Sequence, residues 1–441
     1  MNTTTTAPRL VPWLLLALCA ALAGWVSTGR PLATTRHAAV SPLGSNARNT
    51  VLADLNGDGH LDLAVADMDS YQLFNPDPAT DSSALSIWLS DPAGTLRCHA
   101  QVRGLHANLM AGADLDQDGD VDLITGDSQG DHLLVLLNDG RAHYRRASRL
   151  PAARAHNFVL GDMNNDGVPD LVLKGDSCSI AVGYNDGHAH FRMKTEGLGP
   201  LFPEDKNSGQ PYADRHGYCP REVALADVDR DGDLDIVTVN DQGVYQPTTL
   251  SVMYNDGAHG KLKLEELVYP TNYVANLTIG DLNGDGWPDL VLSGLGDSYD
   301  YPNIVFILLN DTHGRYGTSN ITMGGLDNGP ADERFGPTLV RRLSTGELDA
   351  WRVALGDVDA DGDLDLVVVG RYGQLGVLRN NGHATFADLY RLPTRPAYQA
   401  ELPIGDLRGR GQLAWLVPHR PLPLPGGAAR VGDTAVLDKL R

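Results

Sequence analysis

One acidic segment of ten residues occurs six times in this chain of 441 residues, and no other feature limits its possible folds as strongly. The copies are DLNGDGHLDL (54–63), DLDQDGDVDL (114–123), DMNNDGVPDL (162–171), DVDRDGDLDI (227–236), DLNGDGWPDL (281–290) and DVDADGDLDL (357–366). We call them acidic loops 1 to 6 and number their positions from the first Asp. Repetition at this spacing predicts one repeat architecture instead of two or three unrelated domains.

Each acidic loop is predicted to join two β-strands. The residue before the first Asp is always small, as in Ala53, Gly161 and Gly280, and apolar residues alternate upstream of it. Runs rich in β-forming residues follow, such as LDLAVA, LDIVTV and LDLVVV. Alternation with a period of two is the pattern of a strand. We name the two strands of each repeat A and B.

A second segment follows every acidic loop and predicts a β-hairpin. The copies are IWLSDPAGTL (87–96), VLLNDGRAHY (135–144), VGYNDGHAHF (182–191), VMYNDGAHGKL (252–262), FILLNDTHGRY (306–316) and VLRNNGHATF (377–386). Asn and Gly accept the positive φ that a tight hairpin turn requires. Each repeat therefore has strands A, B, C and D, and four antiparallel strands per repeat predict an all-β chain folded as a β-propeller.

A seventh repeat is predicted near the C-terminus, in IGDLRGRGQLAWLV (404–417). Arg408, Arg410 and Ala414 stand at loop positions 3, 5 and 9, so this loop is expected to bind no metal. It lacks a clear C–D pair, and we expect a strand from residues 36–40 to complete it and close the ring. Residues 31–441 are thus predicted to form a seven-bladed propeller whose last blade is degenerate.

The six intact loops are predicted to bind Ca²⁺ through side-chain oxygens at positions 1, 3, 5 and 9 and the backbone carbonyl at position 7, because an oxygen-only ligand set suits this hard cation. Without a cation, three or four converging carboxylates per loop would repel one another. An EF-hand is excluded, since position 12 is never Glu and the flanking segments are strands. The predicted ligands are Asp54, Asn56, Asp58, His60 and Asp62; Asp114, Asp116, Asp118, Asp120 and Asp122; Asp162, Asn164, Asp166, Val168 and Asp170; Asp227, Asp229, Asp231, Asp233 and Asp235; Asp281, Asn283, Asp285, Trp287 and Asp289; and Asp357, Asp359, Asp361, Asp363 and Asp365.

The N-terminal segment predicts export. Residues 1–30 contain the apolar run LVPWLLLALCAALAGWV, and Ala21-Leu22-Ala23 offers a cleavage site, so this segment is a signal peptide or an uncleaved membrane anchor. We expect an extracytoplasmic protein, secreted or periplasmic, that touches a membrane only through an uncleaved N-terminus. The formal net charge of −21 argues against nucleic acid and anionic membrane surfaces as partners.

Three cysteines remain beyond this segment: Cys98, Cys178 and Cys219. In an oxidising compartment this odd number predicts one disulfide and one buried thiol. Cys178 and Cys219 are expected at the same edge of neighbouring blades, where a bridge could join them.

At this point the chain resembles the FG-GAP/VCBS repeat family, the integrin-α-like propellers with DxDxDGxxD motifs on their A–B loops. The resemblance covers about residues 40–420 and lies closer to the VCBS type, because the Phe-Gly and Gly-Ala-Pro half of the integrin form is missing. It implies about six structural Ca²⁺ sites and a seven-bladed ring, and it implies no particular ligand.

Ligand binding is predicted at the edge opposite the acidic loops, where the B–C and D–A connections lie, including residues 67–83, 196–220, 240–249, 293–303, 317–349 and 370–374. Aromatic faces combined with polar groups suit a glycan or an extracellular protein. The candidate residues are Tyr71, Tyr212, His216, Tyr218, Tyr245, Tyr299, Tyr301, Arg371 and Tyr372. The alternative is an enzyme, a polysaccharide lyase or sugar dehydratase using Tyr212, Arg215, His216, Tyr218 and Arg371. The chain has no nucleophile elbow, phosphate loop or dinucleotide fingerprint, so a binding protein is favoured over an enzyme.

Overall fold

The computed structural model describes the strands and their tight connections. The described residues are 47–67, 84–91, 96–103, 107–127, 132–151, 157–174, 180–196, 219–241, 249–256, 262–268, 274–294, 304–316, 340–344, 348, 350–359, 361–370, 374–386, 390–392, 404–405, 414–416 and 434–436. Every regular element among them is a β-strand, so the all-β prediction is confirmed. No helix of membrane-spanning length and hydropathy occurs in this part of the chain.

The strands form seven antiparallel sheets, each taken from one continuous stretch of sequence, and we call them blades 1 to 7. Blades 1 to 3 consist of β1 (Ala47–Ala53), β2 (Asp62–Asp67), β3 (Ala84–Ser90) and β4 (Leu96–Arg103); β5 (Ala107–Ala113), β6 (Asp122–Asp127), β7 (His132–Leu137) and β8 (Arg145–Pro151); and β9 (Phe158–Gly161), β10 (Asp170–Lys174), β11 (Ile180–Asn185) and β12 (Phe191–Glu196).

Blades 4 to 6 consist of β13 (Cys219–Ala226), β14 (Asp235–Asp241), β15 (Thr249–Asn255) and β16 (Leu262–Val268); β17 (Val274–Gly280), β18 (Asp289–Gly294), β19 (Ile304–Leu308) and β20 (Val340–Ser344); and β21 (Ala350–Gly356), β22 (Asp365–Gly370), β23 (Leu375–Leu378) and β24 (Tyr390–Leu392). Blade 7 consists of β25 (Ile404–Gly405), β26 (Ala414–Leu416) and β27 (Thr434–Val436). The spatial order in blades 1 to 6 is A-B-C-D, as predicted.

The hydrophobic core lies between successive blades. Separate clusters of buried side chains join blades 1 and 2, 2 and 3, 3 and 4, 4 and 5, and 5 and 6. The B and C strands are covered on both faces, and β22 is buried along its whole length. This explains why LDLVVV is a continuous apolar run without alternation. Each blade therefore depends on its two neighbours for burial.

The A strands follow one another around the inside of the stack. Contacts run from β1 to β5, β5 to β9, β9 to β13, β13 to β17 and β17 to β21. The small residue before each loop allows this approach. A Cβ added at Gly161 would lie 2.6 Å from Leu225 Cδ1, and one added at Gly280 would lie 2.7 Å from Leu355 Cδ1. Both leucines belong to the next blade, so a larger residue here would push two blades apart.

The acidic loops and the C–D turns lie at the same edge of each of blades 1 to 6, as predicted. In blade 1, Leu63 pairs with Trp88, and the amide of Ser90 at the end of strand C reaches Asp62 at the start of strand B. The B–C connection leaves from the other end, where Asp67 pairs with Ala84. We call these two ends the acidic edge and the opposite edge.

Two expectations about connections need correction. Residues 317–339 were assigned to the opposite edge, but they join Tyr316 to β20, whose first residue Val340 pairs with Leu308 at the acidic edge. They are therefore an insertion in the C–D connection of blade 5. Blade 7 was expected to lack a C–D pair of its own, yet β27 from the C-terminal segment pairs with β26 in the place of strand C. The predicted closing strand, residues 36–40, lies outside the described residues, and ring closure stays a prediction.

A buried asparagine at the end of strand C connects each of blades 2 to 6 to the blade before it. The Asn255 side-chain amide donates to the Met163 carbonyl in acidic loop 3, at 2.8 Å, and to the Leu234 carbonyl in its own blade, at 3.1 Å. The same pair of bonds recurs at Asn138, Asn185, Asn310 and Asn380. Blade 1 has Ser90 at this position. We call these five residues the bridging asparagines.

Replacing one bridging asparagine should destabilise the fold. In Asn255→Ala, two buried carbonyls lose a donor, and an unsatisfied buried polar group costs about 1–3 kcal/mol. We expect the free energy of unfolding to fall by about 2–4 kcal/mol in urea titrations followed by tryptophan fluorescence. Ser90→Ala is the matched control, because the Ser90 backbone amide keeps its bond to Asp62, and it should cost less than about 1 kcal/mol. Equal losses in the two variants would contradict the assigned role.

Candidate metal centres

The backbone of the acidic loops turns twice through the left-handed region. Position 4 has a positive φ of 62° at Gln117 and 58° at Arg230, and the Gly at position 6 has a φ of 93° at Gly119. Glycine at position 6 is required because side chains rarely adopt such angles. The turn directs the position 6 amide to the position 1 carboxylate in all six loops, at 2.8–3.1 Å.

The Asp at position 5 makes a second repeated bond inside the loop. Its Oδ1 accepts the amide N–H of position 7 at 2.8–3.0 Å in every loop, for example from His60 to Asp58 and from Trp287 to Asp285. Positions 1 and 5 are therefore both held by backbone amides of the loop itself. The loop conformation and the direction of these two carboxylates depend on each other.

The Asp at position 9 is fully buried in all six loops. Asp62 accepts the amide N–H of Leu55 at 3.1 Å and that of Ser90 at 2.7 Å, so it ties the acidic loop to the end of strand C. The equivalent bonds occur at Asp122, Asp170, Asp235, Asp289 and Asp365. This carboxylate holds strands A, B and C together at the acidic edge.

Burial opposes the charge on these position 9 carboxylates. It raises the pKa of Asp62 to about 7, against the lowering effect of the Ser90 and Leu55 amides. The same cause raises the pKa of Asp122, Asp170, Asp235 and Asp289 to about 7, and that of Asp365 to about 6. A nearby divalent cation would favour the charged form of each of these groups.

Loops 2, 4 and 6, which have Asp at position 3, bring carboxylates together with unused oxygens. In three groups, one oxygen from each residue lies within 4.8 Å of the others: Asp114, Asp116 and Asp122; Asp227, Asp229 and Asp235; and Asp357, Asp359 and Asp361. Buried Oδ1 atoms of five of these residues have no hydrogen-bond partner: Asp114, Asp116, Asp227, Asp229 and Asp359. Unpaired buried carboxylate oxygens are unfavourable unless a cation compensates them. The donor set fits an oxygen-preferring divalent cation.

Loops 1, 3 and 5, which have Asn at position 3, are arranged differently. The Asn56 side chain accepts the Asp58 amide N–H at 3.0 Å and donates to Asp58 Oδ2 at 3.0 Å. Asn164 with Asp166 and Asn283 with Asp285 repeat both bonds. Within the described residues, groups of three carboxylates occur only in loops 2, 4 and 6. The two loop types therefore alternate around the stack, and loops 1, 3 and 5 satisfy position 3 internally.

The side chain at position 4, which is not among the predicted ligands, links two pairs of consecutive loops. The Asn165 side-chain amide donates to Asp233 Oδ1, so position 4 of loop 3 reaches position 7 of loop 4. The Arg230 guanidinium carbon lies 5.5 Å from the centroid of the Trp287 ring, which repeats the relation between loops 4 and 5. Arg379 Nη1 also lies 3.6 Å from Asp359 Oδ2 in loop 6, where it offsets part of the acidic charge.

The predicted ligand-binding residues lie outside the described residues. These are Tyr71, Tyr212, His216, Tyr218, Tyr245, Tyr299, Tyr301, Arg371 and Tyr372, together with Arg215 from the enzyme alternative and Cys178. Their prediction stays untested. One expectation about cysteine was wrong: Cys98 is a free thiol, as the odd number requires, but it is exposed on β4 and not buried.

The role of position 3 can be tested with one substitution, whose effect on the free energy of unfolding should have opposite signs without and with Ca²⁺. Burial raises the pKa of Asp116, and its Oδ1 has no partner, so the charge is unfavourable without a cation. We expect Asp116→Asn to raise the free energy of unfolding by about 1 kcal/mol in excess chelator. In saturating Ca²⁺ the same change should lower the free energy of unfolding by about 1–2 kcal/mol, because the site loses a charged ligand. A tenfold loss of Ca²⁺ affinity corresponds to about 1.4 kcal/mol.

Asp256→Asn is the control for this pair of measurements, because Asp256 is an exposed carboxylate in the C–D turn of blade 4. Its effect on the free energy of unfolding should be the same in both buffers, because Asp256 lies outside the acidic loops. A change of the same sign for Asp116→Asn in chelator and in Ca²⁺ would mean that position 3 holds no cation.

Comparisons with known proteins agree with the fold. Solved structures similar to the chain include BBS1N in complex with ARL6DN, which is 13% identical with a TM-score of 0.53 and covers 88% of this chain and 94% of that one. Another is the BP39L lectin from Burkholderia pseudomallei, 14% identical with a TM-score of 0.53, covering 89% of this chain and 99% of that one. At this identity they show the fold alone, a β-propeller.

No curated protein sequence matches the chain. A family model described as the FG-GAP-like repeat matches residues 114–173 and 227–292. These segments start at acidic loops 2 and 4, which have complete carboxylate groups. The first continues through loop 3 and the second through loop 5. The resemblance expected from the repeated motifs is therefore confirmed, and the propeller carries FG-GAP-like repeats in these two segments.

Proposed function

We propose that the protein is a secreted or surface-displayed β-propeller that is stabilised by Ca²⁺ and binds a glycan or protein ligand at its opposite edge. The observation that carries the proposal is the contrast between the two edges. The acidic edge has repeated connections, nearly all short, whose polar groups bond within the loop and to the neighbouring blade. The opposite edge has connections of very different lengths, from residues 104–106 to residues 197–218, and they share no common sequence.

The calcium part of the proposal assigns one Ca²⁺ to each of acidic loops 1 to 6. Position 1, 3, 5 and 9 oxygens would hold the ion, together with the position 7 carbonyl. In loops 2, 4 and 6 this is supported by the carboxylate groups with unpaired oxygens. Loops 1, 3 and 5 share the bond from the position 6 amide to the position 1 carboxylate. They carry one charge fewer at position 3, and their position 1 Oδ1 also accepts an amide N–H from position 4 or 5. When bound, the ion supplies positive charge that compensates the buried carboxylates.

The ligand part of the proposal rests on how the blades divide their connections. Strand pairs such as Asn240 with Thr249 and Asp67 with Ala84 mark the ends of strands B and C at the opposite edge. The chain between these paired ends contains Tyr245 and Tyr71, and neighbouring connections contain the other predicted aromatic residues. Function concentrates in non-repeated loops that a rigid scaffold positions. Similar propellers include a lectin and a protein solved with a protein partner.

The localisation part of the proposal rests on residues 1–30, whose apolar run and small cleavage-site residues are typical of an exported chain. An extracytoplasmic location also suits a Ca²⁺-stabilised fold, since weak sites fill only where the free ion is abundant. Sequencing the N-terminus of the mature protein distinguishes a cleaved signal peptide from a retained anchor.

Removing Ca²⁺ should strongly lower the melting temperature. Ions that bind only the folded state stabilise it by mass action, by about 2.7 kcal/mol per site at a free concentration one hundred times the dissociation constant. We expect differential scanning calorimetry in excess chelator to show a fall of at least about 10 °C that added Ca²⁺ reverses. Asp231→Asn should lower the melting temperature in Ca²⁺, whereas Asp406→Asn in the degenerate loop should have a smaller effect. An unchanged melt in chelator would refute the calcium assignment.

The ligand can be sought with an array of glycans and polysaccharides probed with the Ca²⁺-loaded mature protein. We expect binding that falls about tenfold or more in Tyr299→Ala or Tyr245→Ala and persists in the control Tyr144→Phe, which lies at the acidic edge. The same samples are read in the ultraviolet for unsaturated uronate products, which would instead favour the lyase. Binding that requires acidic-edge residues would refute the assignment to the opposite edge.

A further inference from the structure

Two histidines from neighbouring blades approach each other at the acidic edge. The imidazole of His99 in blade 1 and that of His143 in the C–D turn of blade 2 have ring centroids 5.3 Å apart, with planes inclined by 33°. His99 is exposed, and the His143 side chain is 61% exposed. Neither residue belongs to an acidic loop. The pair is therefore open to solvent and to solutes.

A β-bulge places His99 at this position. Along β3 and β4 the pairing passes from Ile87 with Ala100 to Trp88 with Cys98, which leaves His99 without a cross-strand partner. A bulge of this kind breaks the alternation of side chains and redirects one of them. The register of blade 1 thus turns His99 towards blade 2.

A carboxylate orients the second histidine. His143 Nδ1 lies 3.1 Å from Asp139 Oδ2, and the Asp139 carboxylate also accepts backbone amides of Arg141 and His143. Desolvation raises the pKa of Asp139, but the His143 side chain and the Arg141 and His143 amides together outweigh it, so the pKa lies below its usual value. An Nδ1–H donated to a carboxylate leaves Nε2 as a free acceptor, which is the arrangement found around metal-bound histidines.

We propose that His99 and His143 form a two-histidine site for a divalent transition-metal ion, Zn²⁺ or Cu²⁺, with Asp139 as the positioning residue. An imidazole nitrogen lies about 2.0–2.1 Å from bound Zn²⁺, which puts the centroids of two rings at a tetrahedral angle about 5 Å apart. The observed separation agrees with this value. Imidazole nitrogens select this class of ion over Ca²⁺, which prefers oxygen ligands. The bound ion would fasten blade 1 to blade 2 outside the acidic loops.

The next pair of blades contains the same arrangement with one ligand missing. Asp186 and His190 in the C–D turn of blade 3 repeat the bond between Asp139 and His143, at 3.2 Å. In β8 the pairing passes from Val135 with Ser148 to Leu136 with Arg146, so Ala147 occupies the bulge that His99 occupies in blade 1. Blade 2 therefore has Ala147 where blade 1 has His99. The arrangement of Ala147 and His190 is a natural control that lacks one of the two histidines.

The test is titration of the full-length, Ca²⁺-saturated protein with Zn²⁺ and, separately, with Cu²⁺, by isothermal calorimetry. His99→Ala and His143→Ala should each lose one bound ion per chain. His190→Ala should bind as the parent does, and Ala147→His should gain one ion, because it completes the site in blades 2 and 3. Asp139→Asn should bind about tenfold more weakly, as expected for loss of the orienting carboxylate. Binding of only one of the two ions identifies the one that the site selects.

Electron paramagnetic resonance of the first Cu²⁺ equivalent gives a second measurement that does not depend on stability. Two coordinating imidazole nitrogens are expected in the parent and one in His99→Ala. A His99→Ala titration that matches the parent for both ions would overturn the proposal, as would equal losses in His99→Ala and His190→Ala. Both histidines are exposed, so these variants should fold as the parent does, and an unchanged melting temperature in Ca²⁺ checks this.

Discussion

The structure of the acidic edge depends on the hydrogen bonds of the buried carboxylate at loop position 9. This carboxylate is fully buried in blades 1 to 6 and accepts one amide from the start of its own loop and one from the end of strand C. In blades 2 to 6 the residue that offers this second amide is the bridging asparagine, whose side chain donates to the loop of the preceding blade. One short chain of bonds therefore runs from position 9 of a loop to position 2 of the loop before it.

This chain of bonds would connect the proposed cation sites with the contacts between blades. Burial raises the pKa of the position 9 carboxylate and so opposes its ionised form. A cation beside it would favour the ionised form, which accepts stronger hydrogen bonds than the neutral acid. Because the neighbouring blades also share their hydrophobic clusters, removal of the proposed cation from a loop would weaken two blade interfaces and not only its own sheet. The alternation of Asp and Asn at position 3 distributes the negative charge unevenly, with the unpaired oxygens concentrated in loops 2, 4 and 6.

Much of the structure of the acidic edge could be predicted from the sequence. The acidic loops, the flanking strands, the C–D turns and their shared edge follow from residue periodicity and turn chemistry, which act over a few residues. The interaction partners could not be read in this way. Asn255 looks like a turn residue in the sequence, and only the structure shows its side chain reaching Met163 across a blade boundary. The same holds for Asn165 with Asp233 and for the Arg230 side chain over Trp287.

The sequence by itself determined that the chain is a repeated all-β structure with oxygen-rich loops, because local spacing decides backbone conformation and the supply of ligands. Tertiary structure alone decided which oxygens remain unpaired, which asparagines bridge blades, that β27 adds a third strand to blade 7, and that His99 meets His143. The physical reason is register. Side chains are shifted by whole residues at a bulge, at an insertion such as 317–339, or where two sheets stack. Contacts between blades depend on that shift, whereas the repeated sequence motif does not.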